Sequence, residues 1–208
     1  RLGEPGQLMS KETGKMLDHT RIKAEDVKHI YAGHEVAAHT LTHPFLEQIP
    51  SNMVINEVIK DKIYYENSGG GVTFSGGECM LQIDFLEELL KACKQNGIHT
   101  AIDTAGHVPY ESFERVLPYT DLFLFDVKCY DSDKHKKYTG ASNELIFSNL
   151  RKLLKTNKTV WVRIPTIPTV NDSEEELLNI KAFLFSCGSP EKVELLPYHA
   201  MGEHKYAA

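Results

Sequence analysis

Ser68-Gly69-Gly70-Gly71-Val72-Thr73-Phe74-Ser75-Gly76-Gly77-Glu78 is the stretch on which the fold turns: a short β-rich run with glycines on both flanks and a carboxylate at its exit. Glycine there lets backbone approach a ligand closely, and Glu78 can accept hydrogen bonds from an ammonium group. The plainer alternative is a tight glycine turn followed by an acid that complements the dipole of the next helix, because a glycine run alone carries little information.

The chain downstream gives this run its context. β-rich runs recur at 98–103, 122–128, 159–164 and 193–196, and amphipathic helices fit between them. The first helix places Leu81, Phe85, Leu89 and Cys93 at helical spacing and stops at Gly97. The second is opened by Pro109 and Glu111, with no Ser, Thr, Asp or Asn at its cap, and turns Phe113, Val116 and Leu117 inward. The third runs from about Asn143 through Leu150, Leu153 and Leu154. The fourth begins with a capping box, Ser173 with Glu176, and buries Leu177, Ile180 and Leu184 before Gly188. Five strands alternating with four helices predict an α/β fold, a parallel sheet or partial (β/α) barrel. Chemistry in such folds collects at the C-terminal strand ends.

Those ends carry a ring of polar groups. The second strand ends Asp103-Thr104-Ala105-Gly106-His107 and the third Asp126-Val127-Lys128-Cys129. Period-2 alternation puts Asp126 and Lys128 on one face, which suits a zwitterionic ligand or, as the alternative, a structural ion pair. Arg163 lies near the end of the fourth strand, and His199 follows Leu196-Pro197-Tyr198.

Composition sets outer bounds. Lys+Arg 23 against Asp+Glu 29 leaves no basic footprint for nucleic acid, and no apolar run is long enough to cross a bilayer. Cys79, Cys93, Cys129 and Cys187 are scattered singly, without zinc-knuckle or dithiol pairs. No charged-then-apolar leader opens the chain, which begins at Arg1, so the expectation is a cytoplasmic protein missing its true start.

The blocks 68–78, 102–106, 121–128, 160–163 and 193–205 resemble, in order, those of the glycyl-radical-enzyme activating enzymes, of pyruvate formate-lyase activating type. The resemblance covers about 51–208, roughly three-quarters of the chain. It implies a partial barrel of the radical SAM type that lacks its first strand, behind a short irregular N-terminal segment. It also implies that Gly76, Gly77 and Glu78 bind the amino group of S-adenosylmethionine, and that Asp103, Asp126 and Lys128 surround its amino-acid end and a monovalent cation. Lys128 matches the carboxylate partner and His199 the group near the ribose. In that family a reduced [4Fe-4S] cluster cleaves S-adenosylmethionine to a 5'-deoxyadenosyl radical, which takes hydrogen from a glycine of a partner such as pyruvate formate-lyase, a decarboxylase or a dehydratase. The cluster is held by a Cys-x3-Cys-x2-Cys loop after the first barrel strand. Residues 1–208 contain no such loop, and Cys79 and Cys129 are two thiols on separate strands. The expectation is a domain that binds the nucleoside but is incompetent in this form to generate the radical.

The first fifty residues read differently. Residues 1–22 are polar with no sustained period and are expected to be loop; 24–31 are expected to form a small helix and Val36-Ala37-Ala38 a strand. Beyond Pro44 and Pro50, Ser51 can cap a helix that buries Ile55, Val58 and Ile59. The segment Gly33-His34-Glu35-Val36-Ala37-Ala38-His39-Thr40-Leu41-Thr42-His43-Pro44 resembles the His-Ser/Thr-x-x-His block of polysaccharide deacetylases, which implies a zinc ion on His39 and His43. Two solvated surface histidines are the alternative, and the Asp-Asp block of that family is missing. The expected organisation is therefore a deacetylase-like fragment over 1–50 joined to the activating-enzyme-like partial barrel over 51–208. A zinc-dependent deacetylase fragment and an inactive fusion remnant stay open as other functions. A barrel lacking its first strand leaves a parallel edge unpaired, which Val36-Ala37-Ala38 is expected to cover unless the edge drives aggregation.

Overall fold

The computed structural model describes residues 50–198, together with the backbone of two short strands, β1 (Gly6–Met9) and β2 (Met16–His19). The chain divides into two compact units, one of Arg1–Val72 with Ala92–His99 and one of Thr73–Lys91 with Thr100–Ala208.

In the first unit β1 and β2 pair antiparallel, Gly6 opposite His19 and Met9 opposite Met16. The expectation of loop over 1–22 is corrected at these eight positions. Runs of four residues are too short to display a period, and they become strands through the ladder partner each one finds. The expected helix at 24–31 and strand at 36–38 lie outside the described residues. Next come α1 (Ser51–Lys60) and α2 (Lys62–Ser68). Pro50, not Ser51, holds the cap position of α1, and its carbonyl accepts from Met53 N at 2.9 Å. The stripe Ile55, Val58 and Ile59 is only half-buried.

The sheet runs in chain order: β3 (Gly71–Phe74), β4 (His99–Thr104), β5 (Leu122–Asp126), β6 (Thr159–Thr166) and β7 (Lys192–Pro197). β4 to β7 are parallel neighbours, with Asp103 opposite Leu124, Asp126 opposite Arg163 and Val162 opposite Val193. All five expected strands are present, forming the parallel α/β sheet of a partial barrel. β5 is buried on both faces, as its unbroken apolar run requires. Phe123 and Phe125 enter the main core, and Leu122 and Leu124 pack with Ala101 and Trp161 in a smaller one.

Helices cover the main core: α3 (Ile83–Gln95), α4 (Tyr110–Val116), α6 (Glu144–Leu153) and α7 (Glu174–Cys187) supply Leu86, Leu90, Phe113, Val116, Leu150, Leu153, Ile180 and Leu184. Phe113 stands 6.0 Å from Phe123 and 6.2 Å from Phe125 between ring centres. Each ring buried in this way contributes about 1.5–3 kcal/mol. The expected stripe of α3 holds only in part. A 3-10 turn over Cys79–Gln82 advances at three residues per turn, so the phase changes at Ile83. Leu81 is left 73% exposed, and Met80 takes its place inside.

Among the described residues α2 and one further helix were not foreseen. α5 (Ser132–Thr139) reads Ser-Asp-Lys-His-Lys-Lys-Tyr-Thr and has no apolar stripe. It is fixed locally instead, by the Asp131 side chain accepting from Lys134 N at 2.7 Å and by His135 Nδ1 against Ala141 O at 2.7 Å. The capping box of α7 is half formed. Ser173 Oγ accepts from Glu176 N at 3.3 Å, but the buried Glu176 carboxylate accepts from Tyr130 N and sits 3.4 Å from Lys134 Nζ, tying α7 to the loop after β5.

Among the described residues no strand pairs with the free side of β7 or of β3. On β7, Val193 and Leu195 are exposed, and with Ile180, Leu184 and Phe185 of α7 they line a hollow of about 400 Å3. Among the described residues no helix is long and apolar enough to cross a membrane.

Candidate functional site

The exits of β3, β4 and β5 converge on one another through side chains. After β3 the chain turns at Gly76 and Gly77, with φ of +93° and +63°, and beyond its immediate chain neighbours no atom lies within 4 Å of where a Cβ would stand on either. That backbone conformation suits glycine, and it leaves the main chain bare on that side. Glu78 follows, and its carboxylate is already engaged. Thr104 Oγ1 lies within 2.8–2.9 Å of both oxygens, Ala105 N donates to Oε2 at 3.0 Å and Met80 N to Oε1 at 3.3 Å. The acid therefore caps the 3-10 turn and fastens the exit of β3 to that of β4.

Thr104 is buried, and its oxygen also accepts from Gly106 N at 2.8 Å. Gly106 has a φ of +72°, and a Cβ on it would stand 2.2 Å from Phe125 Cζ, so only glycine lets the loop close over that ring.

The ion pair between Asp126 and Lys128, the alternative to a ligand site, does not form. Asp126 Oδ1 accepts from Arg163 Nε at 3.0 Å and from Nη2 at 2.8 Å, and the same Nη2 donates to Asp103 Oδ1. The other oxygen of Asp103 accepts from Ser75 Oγ at 2.9 Å. Arg163 and Asp126 are each 18% exposed and Asp103 24%, sheltered enough for the pairing to exceed a surface ion pair. Burial works against the guanidinium charge, but Asp126 and then Asp103 more than offset it and raise its proton affinity. Lys128 is half-buried, and among the described residues no carboxylate lies within ion-pairing distance of its ammonium.

Three buried asparagines brace the loops behind these groups. Each divides its side-chain amide between two backbone carbonyls: Asn149 between Gly106 and Val108, Asn143 between Cys129 and Tyr130, and Asn171 between Lys128 and Pro165. Asn171 Oδ1 also accepts from Ile167 N at 2.6 Å. Sequence reasoning gave no bracing role to these three, Asn143 being named only as a helix start, nor any role to Ser75 and Thr104 within the quoted strand exits. One of them left a signal, since Asn149 sits on the apolar stripe Ile146, Leu150, Leu153 of α6, where an amide must find partners.

The expected residues Gly76, Gly77, Glu78, Asp103 and Asp126 thus come together at the strand exits, and His107 beside them is exposed. His199, His39 and His43 lie outside the described residues. The residues present suit a zwitterionic nucleoside: a bare glycine turn, carboxylates held by neighbouring donors, and an ammonium with no carboxylate partner among the described residues. They do not suit an iron-sulfur cluster, which needs three thiolates. Burial, with the Glu78 and Asp103 carboxylates, pushes the Cys79 thiol up to about 12, burial pushes Cys93 to about 11, and Cys129 is raised by burial as well. The four thiols stand on separate elements, and among the described residues no group of three or more His, Cys, Asp or Glu could hold a metal.

Residues 43–180 match the sequence profile of the Radical SAM superfamily, whose members use S-adenosylmethionine and a [4Fe-4S] cluster. The chain is 47% identical over 155 residues to the trans-4-hydroxy-L-proline dehydratase activating enzyme of Clostridioides difficile, a match covering 74% of this chain and 51% of that protein. It is 41% identical over 160 residues to the pyruvate formate-lyase-activating enzyme of Clostridium pasteurianum, covering 77% and 67%. A solved domain of the pyruvate-formate lyase-activating enzyme from Bacteroides vulgatus superposes with a TM-score of 0.60 at 41% identity, over 63% of this chain and 82% of that one. The chain spans about half to two-thirds of the length of these curated relatives. With most of its length inside the superfamily profile and 41–47% identity to activating enzymes over about three-quarters of its length, the chain belongs to the Radical SAM superfamily, in the group of glycyl-radical-enzyme activating enzymes.

Proposed function

We propose that residues 51–208 form the S-adenosylmethionine-binding part of a glycyl-radical-enzyme activating enzyme. The observation that carries this reading is the leftover charge at the strand exits. Arg163 satisfies Asp103 and Asp126, Glu78 is taken by Thr104 and Ala105, and among the described residues Lys128 has no carboxylate. A ligand that brings a carboxylate to Lys128 and an ammonium to the bare Gly76-Gly77 main chain complements that arrangement, with His199 toward its ribose by resemblance. S-adenosylmethionine has both groups, and when bound it supplies a sulfonium whose reductive cleavage is the source of radical chemistry in the superfamily.

The chain's own residues have distinct roles in holding it. Glu78 shapes the turn rather than meeting the ammonium with a free carboxylate, Lys128 fixes the amino-acid end, and Asn171, bonded to the Lys128 carbonyl at 2.5 Å, fixes the backbone from which that ammonium extends. The four thiols offer no seat for a cluster, so residues 1–208 bind and orient the nucleoside without generating a radical from it. The names of the relatives support a glycyl radical enzyme, such as pyruvate formate-lyase or a dehydratase, as the kind of partner.

Calorimetric titration of the protein with S-adenosylmethionine tests the site. Lys128→Ala is expected to abolish binding, and an unchanged affinity would remove Lys128 from it. Anaerobic reconstitution with iron and sulfide tests the second part: the expected result is no cluster, and about four irons per chain would overturn the claim of incompetence.

A further inference from the structure

The Gly76-Gly77 turn hangs between two anchors. On its N-terminal side, Ser75 Oγ donates to Asp103; on its C-terminal side, Glu78 is fastened to Thr104 and Ala105, the two residues after Asp103. The turn itself has little to fix it, since both glycines lack a Cβ and have open space on that side. Asp103, the first anchor, is in turn held by Arg163 from β6. Asp126, opposite Arg163 in the ladder, grips the guanidinium from β5 through both Nε and Nη2. A continuous run of charge-assisted hydrogen bonds therefore crosses from β6 and β5 to β4 and ends on the residue that precedes Gly76.

We infer that Arg163 is a positioning residue for the Gly76-Gly77 turn, acting through Asp103 and Ser75 and not by touching the nucleoside. The inference rests on the proposed reading of that turn as the nucleoside seat. Chemistry at this position calls for arginine. Its planar fork serves two carboxylates on different strands at once, whereas an ammonium is a single point charge. Without the shared cation the two half-buried acids repel each other, Asp103 turns toward solvent, and Ser75 loses its acceptor. The turn then samples conformations in which its main chain no longer forms one surface.

The test uses the full 208-residue protein as wild type, Ser75→Ala, Arg163→Lys and the double variant. Two readouts are taken: amide hydrogen exchange of Met80 and Ala105 without ligand, and the affinity for S-adenosylmethionine. Each single variant is expected to speed exchange at Met80 and Ala105, whose amides the Glu78 carboxylate holds at the end of the turn, about tenfold and to weaken binding by the same factor, the worth of one charge-assisted hydrogen bond. The double variant should be no worse than the worse single, because both cut one relay. Exchange in α6, remote from the turn in sequence, should stay as in wild type. Unchanged exchange at Met80 and Ala105 in the single variants, or effects that multiply to about a hundredfold in the double, would overturn the inference. Ser75 is exposed, so Ser75→Ala poses no threat to folding and its exchange result decides even if Arg163→Lys folds poorly. A wild-type protein that binds no S-adenosylmethionine would count against the nucleoside reading alone, while the exchange measurement still judges the relay.

Discussion

Replacing Gly106 by alanine isolates a steric cost from a conformational one. At φ +72° a side chain pays the left-handed penalty of about 1–2 kcal/mol. The new Cβ also stands 2.2 Å from Phe125 Cζ, where ordinary contact begins near 3.4 Å, so ring and loop must separate by more than 1 Å. Neither yields easily. Phe125 is fully buried against Phe113, and the loop is pinned by Asn149 Nδ2 on the Gly106 carbonyl at 2.9 Å. Overpacking of this kind adds about 1–3 kcal/mol, for a total of about 2–5 kcal/mol. Gly140→Ala is the control, with φ +87° and nothing within 4 Å, and should lose only the conformational part, about 1–2 kcal/mol. Urea unfolding followed by the fluorescence of Trp161, the sole tryptophan, measures both. Shortening the ring in Gly106→Ala/Phe125→Leu should recover part of the loss, with a coupling of about 0.5–3 kcal/mol. Equal losses at Gly106 and Gly140, with no coupling to Phe125, would refute the reasoning.

Other consequences are open to the same measurement. Glu78→Ala strips the partners of Thr104 Oγ1, Ala105 N and Met80 N and should cost about 2–4 kcal/mol, while Glu78→Gln, which keeps an acceptor, should cost about 1 kcal/mol. Asn171→Ala leaves the Lys128 and Pro165 carbonyls and the Ile167 amide without their partner, and should lose about 2–4 kcal/mol together with affinity for S-adenosylmethionine. The Cys79 thiol holds its proton more tightly folded than unfolded. Its contribution to stability is therefore full below pH 9.0 and lost as pH rises from there to about 12, and stability in Cys79→Ala should fall less steeply over that window. By the same protonation, Cys79 in the native protein should resist alkylation at pH 8 and react once urea unfolds it.

What the sequence made legible, and what it hid, follows from the range of each interaction. The run Leu122-Phe123-Leu124-Phe125 could belong only to an element buried on both faces, and it forms the sheet centre. Glu78 stood out because glycines isolate it at a strand exit. The partner of Asp126, by contrast, is set across the ladder, where register brings Arg163 opposite, and alternation along one strand could say only that Lys128 shares its face. α5 stayed hidden because Asp131 and His135 hold it through local bonds that leave no apolar period. Glu176 fitted the capping-box spacing, yet its carboxylate closes on Tyr130 from another loop, a partner that no spacing rule encodes.

The hollow between α7 and β7, rimmed by Phe185, Val193 and Leu195, has a practical consequence for handling the protein. Apolar reporter dyes light up on such surfaces, whether or not the polypeptide around them has melted. Fully native samples are therefore expected to glow brightly with anilinonaphthalene sulfonate before any heating. Melting curves read from dye would start high and flatten, and the indole emission of Trp161 will report unfolding more faithfully.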